Sequence, residues 1–293
     1  MLSSIIIRTY NESRYLPELL REIEAQTIPS PEREVIVVDS GSTDGTLEIA
    51  TQRGARIVRI EPEQFSFGRS LNLGCAAARG KHLVFISGHC VPASRDWLSG
   101  MIEPLEDGRA ELAYGRQIGG PETKFSEHEL LLKYFPPARS ESLGKFFCNN
   151  ANAAVPRTVW EELQFDESLT GLEDMAFGKR LVEAGRRIEY VPSAAVFHYH
   201  HESWRKIKRR YEREAIALQK IMPEVHVEIG DALRYFAAGV LGDWAKALAR
   251  GTFCRHAPEI IAFRFCQYYG SWRGNHIHRK LSKAAKERYF YPR

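Results

Sequence analysis

SIIIRTYNES, residues 4–13, decides how the rest of the chain is read. Three consecutive isoleucines leave no polar face, so the run suits a strand covered on both sides, as in a parallel sheet flanked by helices. It ends in Thr9-Tyr10-Asn11-Glu12. Beyond that turn Leu16, Leu19, Leu20 and Ile23 recur at helical spacing, with Ser13 placed as N-cap. The unit then repeats. Residues 35–38 form a second apolar run ending at Asp39, followed by the polar turn Ser40-Gly41-Ser42-Thr43-Asp44-Gly45 and a helix through Leu47, Ile49 and Ala50. Residues 55–60 read as a third strand, 70–79 as a small-residue helix closed by Gly80, and 82–86 as a fourth strand running into Ser87-Gly88-His89.

Strands alternating with helices every 25–30 residues or so imply βαβ units and a parallel sheet. Ligands of such sheets bind outside the carboxyl ends of the strands. Three polar clusters fall at those ends: Thr9 to Glu12, Asp39-Ser40, and Ser87 to His89. After Pro121 the alternation weakens. Residues 160–163 read as helical, and 174–184 as a helix with Phe177 and Leu181 inward and Gly185 as C-cap. Residues 188–191 and 195–197 read as two short strands, and from Trp204 the pattern is helical.

A chain of 293 residues has room for one large α/β domain and an appended region. The charge divides unevenly: 22 Lys and Arg against 28 Asp and Glu in residues 1–201, then 19 against 9 in 202–293, consistent with the net +4 of the whole. The five cysteines have no CxxC or Cys/His zinc spacing and read as reduced thiols of a cytosolic protein. Three strong apolar residues before Arg8 suit a strand rather than a signal peptide, and no 18-residue apolar run spans a membrane.

With VIVVDSGSTDGT (35–46), FSFGRSLNLGCAAARGKHLVFISGHCVP (65–92) and GLEDMAFGKRLVEAGRRIEYVPSAAVFHYHHES (171–203), the opening stretch resembles glycosyltransferase family 2, the inverting enzymes of GT-A fold. The resemblance covers about residues 3–215. It implies a Rossmann-like, mostly parallel central sheet flanked by helices, here with a helical C-terminal extension. It divides the chain into a catalytic domain at 1–203, whose 1–120 bind nucleotide and 121–203 the acceptor, and a C-terminal region at 204–293. It places Thr9, Tyr10 and Glu12 against base and ribose and Asp39 on the base edge. A carboxylate can accept the imide N–H of uracil or thymine, and a tyrosine can stack on the ring. Ser42 and Asp44 read equally as nucleotide contacts or as turn and cap residues. Arg69, Asn72 and Arg79 flank the helix that approaches the diphosphate and sugar, although Arg79 also suits a helix C-terminus.

Most of these enzymes carry Asp-x-Asp at the end of the fourth strand to hold Mg²⁺ or Mn²⁺. This chain resembles a subset with Ser-x-His there, so Ser87, Gly88 and His89 take that place at the diphosphate. Ser and Gly are poor ligands for a hard cation. Two accounts stay open. His89 binds a metal together with a histidine of the 197–201 segment, His198 matching best, or positive groups among Arg69, Arg79 and His89 replace the ion. The resemblance makes Asp174 the general base and Glu173 its positioning partner. It places Asn149, Asn150 and Asn152 in the sugar and acceptor pocket.

The implied activity is transfer from a UDP- or dTDP-linked sugar to a saccharide or lipid-linked saccharide, in assembly of a surface polysaccharide. A divalent metal is a cofactor on the first account. The basic, aromatic tail suits contact with the cytoplasmic face of an anionic membrane, or packing against the catalytic domain or across a homodimer. No nucleic-acid motif accompanies it. Two rival functions are a non-catalytic nucleotide-sugar-binding module and a nucleotidyltransferase of related fold. Glu173-Asp174 argues against the first, and the absence of a Gly-rich loop after the first strand argues against the second.

Overall fold

A computed structural model describes residues 2–138 and 144–276, so the last 17 residues of the basic tail lie outside it. In chain order the elements are β1 (Ser3–Thr9), α1 (Leu16–Glu24), β2 (Arg33–Asp39), α2 (Thr46–Gln52), β3 (Arg56–Arg59), α3 (Phe67–Ala77), β4 (His82–Ser87), β5 (Cys90–Pro92), α4 (Trp97–Glu106), β6 (Leu112–Gly119), α5 (Phe125–Tyr134), β7 (Asn152–Pro156), α6 (Arg157–Leu163), α7 (Glu173–Glu183), β8 (Ile188–His198), α8 (Trp204–Ile221), α9 (Ile229–Ala249) and α10 (Phe253–Asn275). They divide into two compact units. The first comprises Met1–Gly120, Tyr134–Ser168 and Glu173–Tyr199, and the second Pro121–Lys133, Leu169–Leu172 and His200–Arg293.

The first unit is an α/β sheet of order β3-β2-β1-β4-β7-β6-β8-β5. β1, β2, β3 and β4 are parallel, as the apolar runs of β1, β2 and β4 and the alternation of strands with helices predict, with Thr9 opposite Asp39 and Arg8 opposite Ser87. The three polar clusters therefore share one edge. β7 enters antiparallel to both β4 and β6, a pairing the sequence pattern does not announce. Its first residue, Asn152, stands beside Ile86, so the preceding loop arrives at the end of β4. β6 and β8 run parallel to each other, and β8 ends at the same edge with His198 beside Gly119. β5 starts there, antiparallel, with Cys90 opposite His198. That pairing brings His89 to His198 across 109 residues of chain.

The core behind this edge is built from Ile5, Ile7, Val37, Val84 and Ile86 of the strands against Leu16, Leu19, Leu20 and Ile23 of α1 and Trp97, Leu98 and Met101 of α4. On the other face a Cβ on Gly74 would lie 2.5 Å from Ile6, so α3 approaches the sheet as only glycine allows.

Some local expectations are corrected. α1 begins at Leu16 with Tyr15 as N-cap, and the Ser13 N–H instead donates to Asp44 at 3.0 Å. α3 spans Phe67–Ala77 rather than 70–79 and is capped by Ala78 rather than Gly80, because the Arg79 and Gly80 N–H groups turn to the Ser4 hydroxyl. The two short strands near the end are one strand, β8, which runs through Pro192 with a register shift against β6.

The second unit is helical. α10 packs on α8 through Gly270 and Gly274, whose added Cβ atoms would meet the Lys208 and Glu212 carbonyls at 2.5 and 2.2 Å. Several of its buried charges are paired. Arg264 donates to Asp243 at 2.8 Å, and Arg210 bonds both Glu127 and Glu202 while His200 sits 2.7 Å from Glu127. Arg210, with the hydrogen bond from His200, holds the Glu127 carboxyl down at about 2 despite its burial. No helix among the described residues is long and apolar enough to cross a membrane.

Candidate active site

At the ends of β1 and β2 two loops are tied together by side-chain caps. The Asp39 carboxylate accepts from the Gly41 and Ser42 N–H groups at 3.0 and 2.9 Å, from the Thr9 hydroxyl at 3.0 Å, and from the Ser42 hydroxyl. Asn11, at φ +57°, accepts from the Thr43 N–H, and its own N–H donates to Ser42 Oγ. Asp44 caps Ser13 and Thr46, bonds that draw its carboxyl below the usual range despite partial burial. Asp39 is 1% exposed and its acceptor positions are filled, so the carboxylate builds this turn rather than presenting a bare edge to a nucleobase. Ser42 and Asp44 are turn and cap residues here. Tyr10 is 37% exposed at the mouth, where its ring can stack on a planar ligand.

Ser87, Gly88 and His89 close β4. The Gly88 N–H donates to the Arg8 carbonyl at 3.0 Å, and a Cβ on Gly88 would lie 2.8 Å from the Glu12 side chain. This tight passage brings the His89 Nδ1 within 2.7 Å of Glu12 Oε1. The His89 and His198 rings stack at 5.0 Å, and His198 Nδ1 lies 2.6 Å from Gln117 Oε1. Gln117 in turn donates to Asn149 Oδ1 at 3.0 Å, which fixes its amide so that Oε1 faces the histidine. Each ring thus donates through Nδ1, which leaves Nε2 as the atom a neutral ring would offer to an ion. Imidazoles oriented in this way by a carboxylate or an amide are the usual preparation of histidine for a metal. The pair fits a divalent ion softer than Mg²⁺.

Glu173 and Asp174 open α7 and are 4% and 8% exposed. The chain enters through Leu172 at φ +54°, a left-handed conformation that costs a branched side chain about 1 kcal/mol or more. Asp174 accepts the Met175 N–H at 2.8 Å and the Asn150 N–H at 3.2 Å. Burial, with Glu173 adjacent, pushes its carboxyl up to about 7. Asn150 is 2% exposed and its Nδ2 has no partner among the described residues, so a hydroxyl arriving here would find a donor waiting. Glu173 is held by Arg8 at 2.9 Å.

Other expected contacts lie elsewhere. Asn152 is fully buried: its amide serves Trp97, the Arg116 carbonyl and the Ala194 carbonyl, leaving nothing for a sugar. Asn72 is likewise consumed by Trp160, Phe165 and Glu167. Arg79 follows the end of α3, and a helix antiparallel to its strands ends at their amino edge. Its N–H bonds Ser4 and Glu34 there, remote from the carboxyl ends. Arg69, in the first turn of α3, stays at the carboxyl edge and pairs with Glu167 at 3.2 Å. Two residues of the site carry no sequence signal. Arg8 sits inside an apolar strand, and Gln117 lies in a strand with no visible pattern.

Residues 4–164 match the family described as Glycosyl transferase family 2. The chain is 30% identical over 223 residues to O-antigen chain rhamnosyltransferase RfbN of Salmonella typhimurium, covering 72% of this chain and 70% of that protein. It is 30% identical over 200 residues to Glycosyltransferase AglE of Haloferax volcanii, 64% of this chain and 63% of that one. Mannosyltransferase PcManGT from Pyrobaculum calidifontis, solved with GDP-Man and Mn²⁺, superposes with a TM-score of 0.68 at 18% identity over 95% of this chain and 88% of that one. That likeness bears out the GT-A architecture read from the sequence. The chain is a glycosyltransferase and belongs to glycosyltransferase family 2.

Proposed function

We propose that the protein is an inverting enzyme that moves a sugar from a UDP- or dTDP-linked donor to a hydroxyl of a saccharide or lipid-linked saccharide, in assembly of a surface polysaccharide. The observation that carries this reading is Asp174: a buried carboxyl pushed up to about 7, at the start of a helix and beside the unpartnered Asn150 amide. A general base works best with a pKa near the operating pH. Asp174 takes the acceptor's proton as its oxygen bonds to the anomeric carbon. The bond from that carbon to the diphosphate breaks, and the nucleoside diphosphate leaves. Attack from the face opposite the leaving group inverts the centre.

Tyr10 stacks on the base, and the loops tied by Asp39 shape its pocket, with Thr9 and Glu12 beside it. Ser87, Gly88 and Arg69 face the diphosphate, and Asn149 and Asn150 meet the acceptor and sugar. His89 and His198 would hold a divalent ion, which when bound would neutralise the leaving diphosphate. The mannosyltransferase with GDP-Man and Mn²⁺ supports a metal, and the O-antigen rhamnosyltransferase supports the polysaccharide setting. Reduced cysteines and a polysaccharide acceptor fit the cytoplasmic side of a membrane.

The test combines thermal shifts with transfer. UDP, dTDP, GDP and CDP are each added with Mn²⁺, with Mg²⁺ and with EDTA. A ligand at about 100 times its Kd stabilises by about 2.7 kcal/mol. A pyrimidine diphosphate that raises the melting temperature more with Mn²⁺ than with EDTA is expected. Equal shifts in EDTA would remove the histidine metal site, and no shift from any of the four would remove the donor class. Asp174→Asn should keep the nucleotide shift and lose transfer. Retained transfer would end the base assignment.

A further inference from the structure

β1 alternates its side chains between the faces of the sheet, and Ile6 and Arg8 fall on the face that α3 covers. Phe67, at the start of α3, lies 5.3 Å from the Arg8 guanidinium, and the same group donates to Glu173 Oε1 at 2.9 Å. The ion pair is largely enclosed, with side chains 18% and 5% exposed. We propose that Arg8 is a positioning residue for transfer: clamped between the Phe67 ring and Glu173, it engages Glu173 in a charge-assisted hydrogen bond and so leaves Asp174 as the member of the pair that takes the acceptor's proton. The inference rests on the reading of Asp174 as base.

The argument is one of broken symmetry. Two adjacent carboxylates in the first turn of a helix both gain from its positive end. Burial opposes two negative charges in one place, and a pair left to itself holds one proton in common. Arg8 bonds only one of the two. Glu173 receives a charge-assisted hydrogen bond, whereas Asp174 receives only backbone donors, from Asn150 and Met175. The exchangeable proton is therefore left to Asp174, which faces the Asn150 amide. The charged and titratable groups acting on Asp174 are Glu173 on its own helix, the buried Cys148 thiol of the preceding loop, and Arg8 from β1. The Phe67 face adds a cation–π contact suited to a flat guanidinium, which a lysine would only partly replace.

The experiment reads the carboxyls directly. Protein labelled with ¹³C at the Asp and Glu side-chain carboxyl carbons is titrated by NMR as wild type, Arg8→Lys and Arg8→Met, with Asp174→Asn and Glu173→Gln assigning the signals. In Arg8→Met the upper titration of the pair should rise by about 1–3 pH units and appear at Glu173 as well as Asp174. Arg8→Lys should restore most of the wild-type curve. The acid limb of transfer should move with the carboxyls while donor KM changes by less than about twofold. Should Arg8→Met not fold, the double variant with Glu173→Gln leaves no unpaired charge. Compared with Glu173→Gln alone it should raise Asp174 only slightly, by the loss of Arg8's direct pull, because Arg8 acts mainly through Glu173; a rise as large as the one expected of Arg8→Met overturns the inference. A folded Arg8→Met in which Asp174 alone titrates, unmoved, overturns the inference. So does a variant that loses donor affinity with its carboxyl titration intact. Neither result depends on turnover, so failure here is distinct from retained transfer in Asp174→Asn.

Discussion

Asp39 and Asp174 lie in the same unit, 1% and 8% exposed. Asp39 accepts four hydrogen bonds, from Thr9, Gly41 and twice from Ser42, and has no carboxylate beside it in the chain. Asp174 accepts two, from backbone N–H groups, and stands next to Glu173. Burial is nearly equal, so burial does not separate them. The number of donors and the charge of the nearest neighbour do. A carboxylate whose acceptor positions are all filled fixes a turn, while one with fewer donors and a like charge at its side is ready to take a proton.

Asparagine at each position should separate the two roles, and it carries the largest expected effect. Asp174→Asn should lower kcat by about 10²–10⁴, the span usual for a positioned base, with nucleotide affinity kept. Asp39→Asn should instead weaken the fold by about 1–3 kcal/mol, because an amide nitrogen meets donors at one of its two sides. Its kcat, measured on the fraction that remains folded, should change far less than in Asp174→Asn. If Asp39→Asn loses kcat without losing stability, the distinction drawn from donor counts is wrong.

A second contrast is smaller and sits on one loop. Asn152 bonds Trp97 and two carbonyls, while the Asn150 amide nitrogen bonds nothing among the described residues. Asn152→Ala should lower stability by about 1–3 kcal/mol with KM for the acceptor little changed. Asn150→Ala should leave the melting temperature nearly unmoved and raise acceptor KM by about tenfold, the loss of one good hydrogen bond. Denaturant melts beside steady-state kinetics would show a reversal of the two as a failure of the site assignment.

These pairs also show what the sequence could and could not tell. The parallel strands β1, β2 and β4 are legible because each carries a continuous apolar run followed by its own turn, and their carboxyl ends mark the edge of the site. The strand β7, Asn152–Pro156, is five residues of small character and pairs antiparallel on both sides, so no local period reveals it. The family resemblance placed Asn72 beside the diphosphate and sugar and Asn152 in the sugar pocket, but their partners Trp160 and Trp97 are 88 and 55 positions away and claim them for the fold. Arg8 was hidden for the same reason: a lone cation in an apolar strand acquires meaning only from Glu173, 165 positions on. Motif order located the edge and the base, and tertiary pairing decided which polar side chains there are available.

The smallest expected effect follows from the raised carboxyl of Asp174, and its sign is fixed by linkage. The folded protein holds this proton up to about 7, while the unfolded chain releases it near the ordinary 3.8. Protonation of Asp174 therefore favours the folded state, fully below pH 4 or so, and that advantage is lost as pH rises toward 7. Asparagine carries no such proton. The melting temperature of Asp174→Asn should thus gain on the wild type as pH climbs from about 4 to 7, by a few degrees, and hold that lead at pH 8. The transfer rate should run the other way, falling about tenfold for each pH unit below 7 as the base is protonated. A variant that tracks the wild type at every pH would mean Asp174 titrates like any exposed carboxylate, and the contrast with Asp39 would reduce to geometry alone.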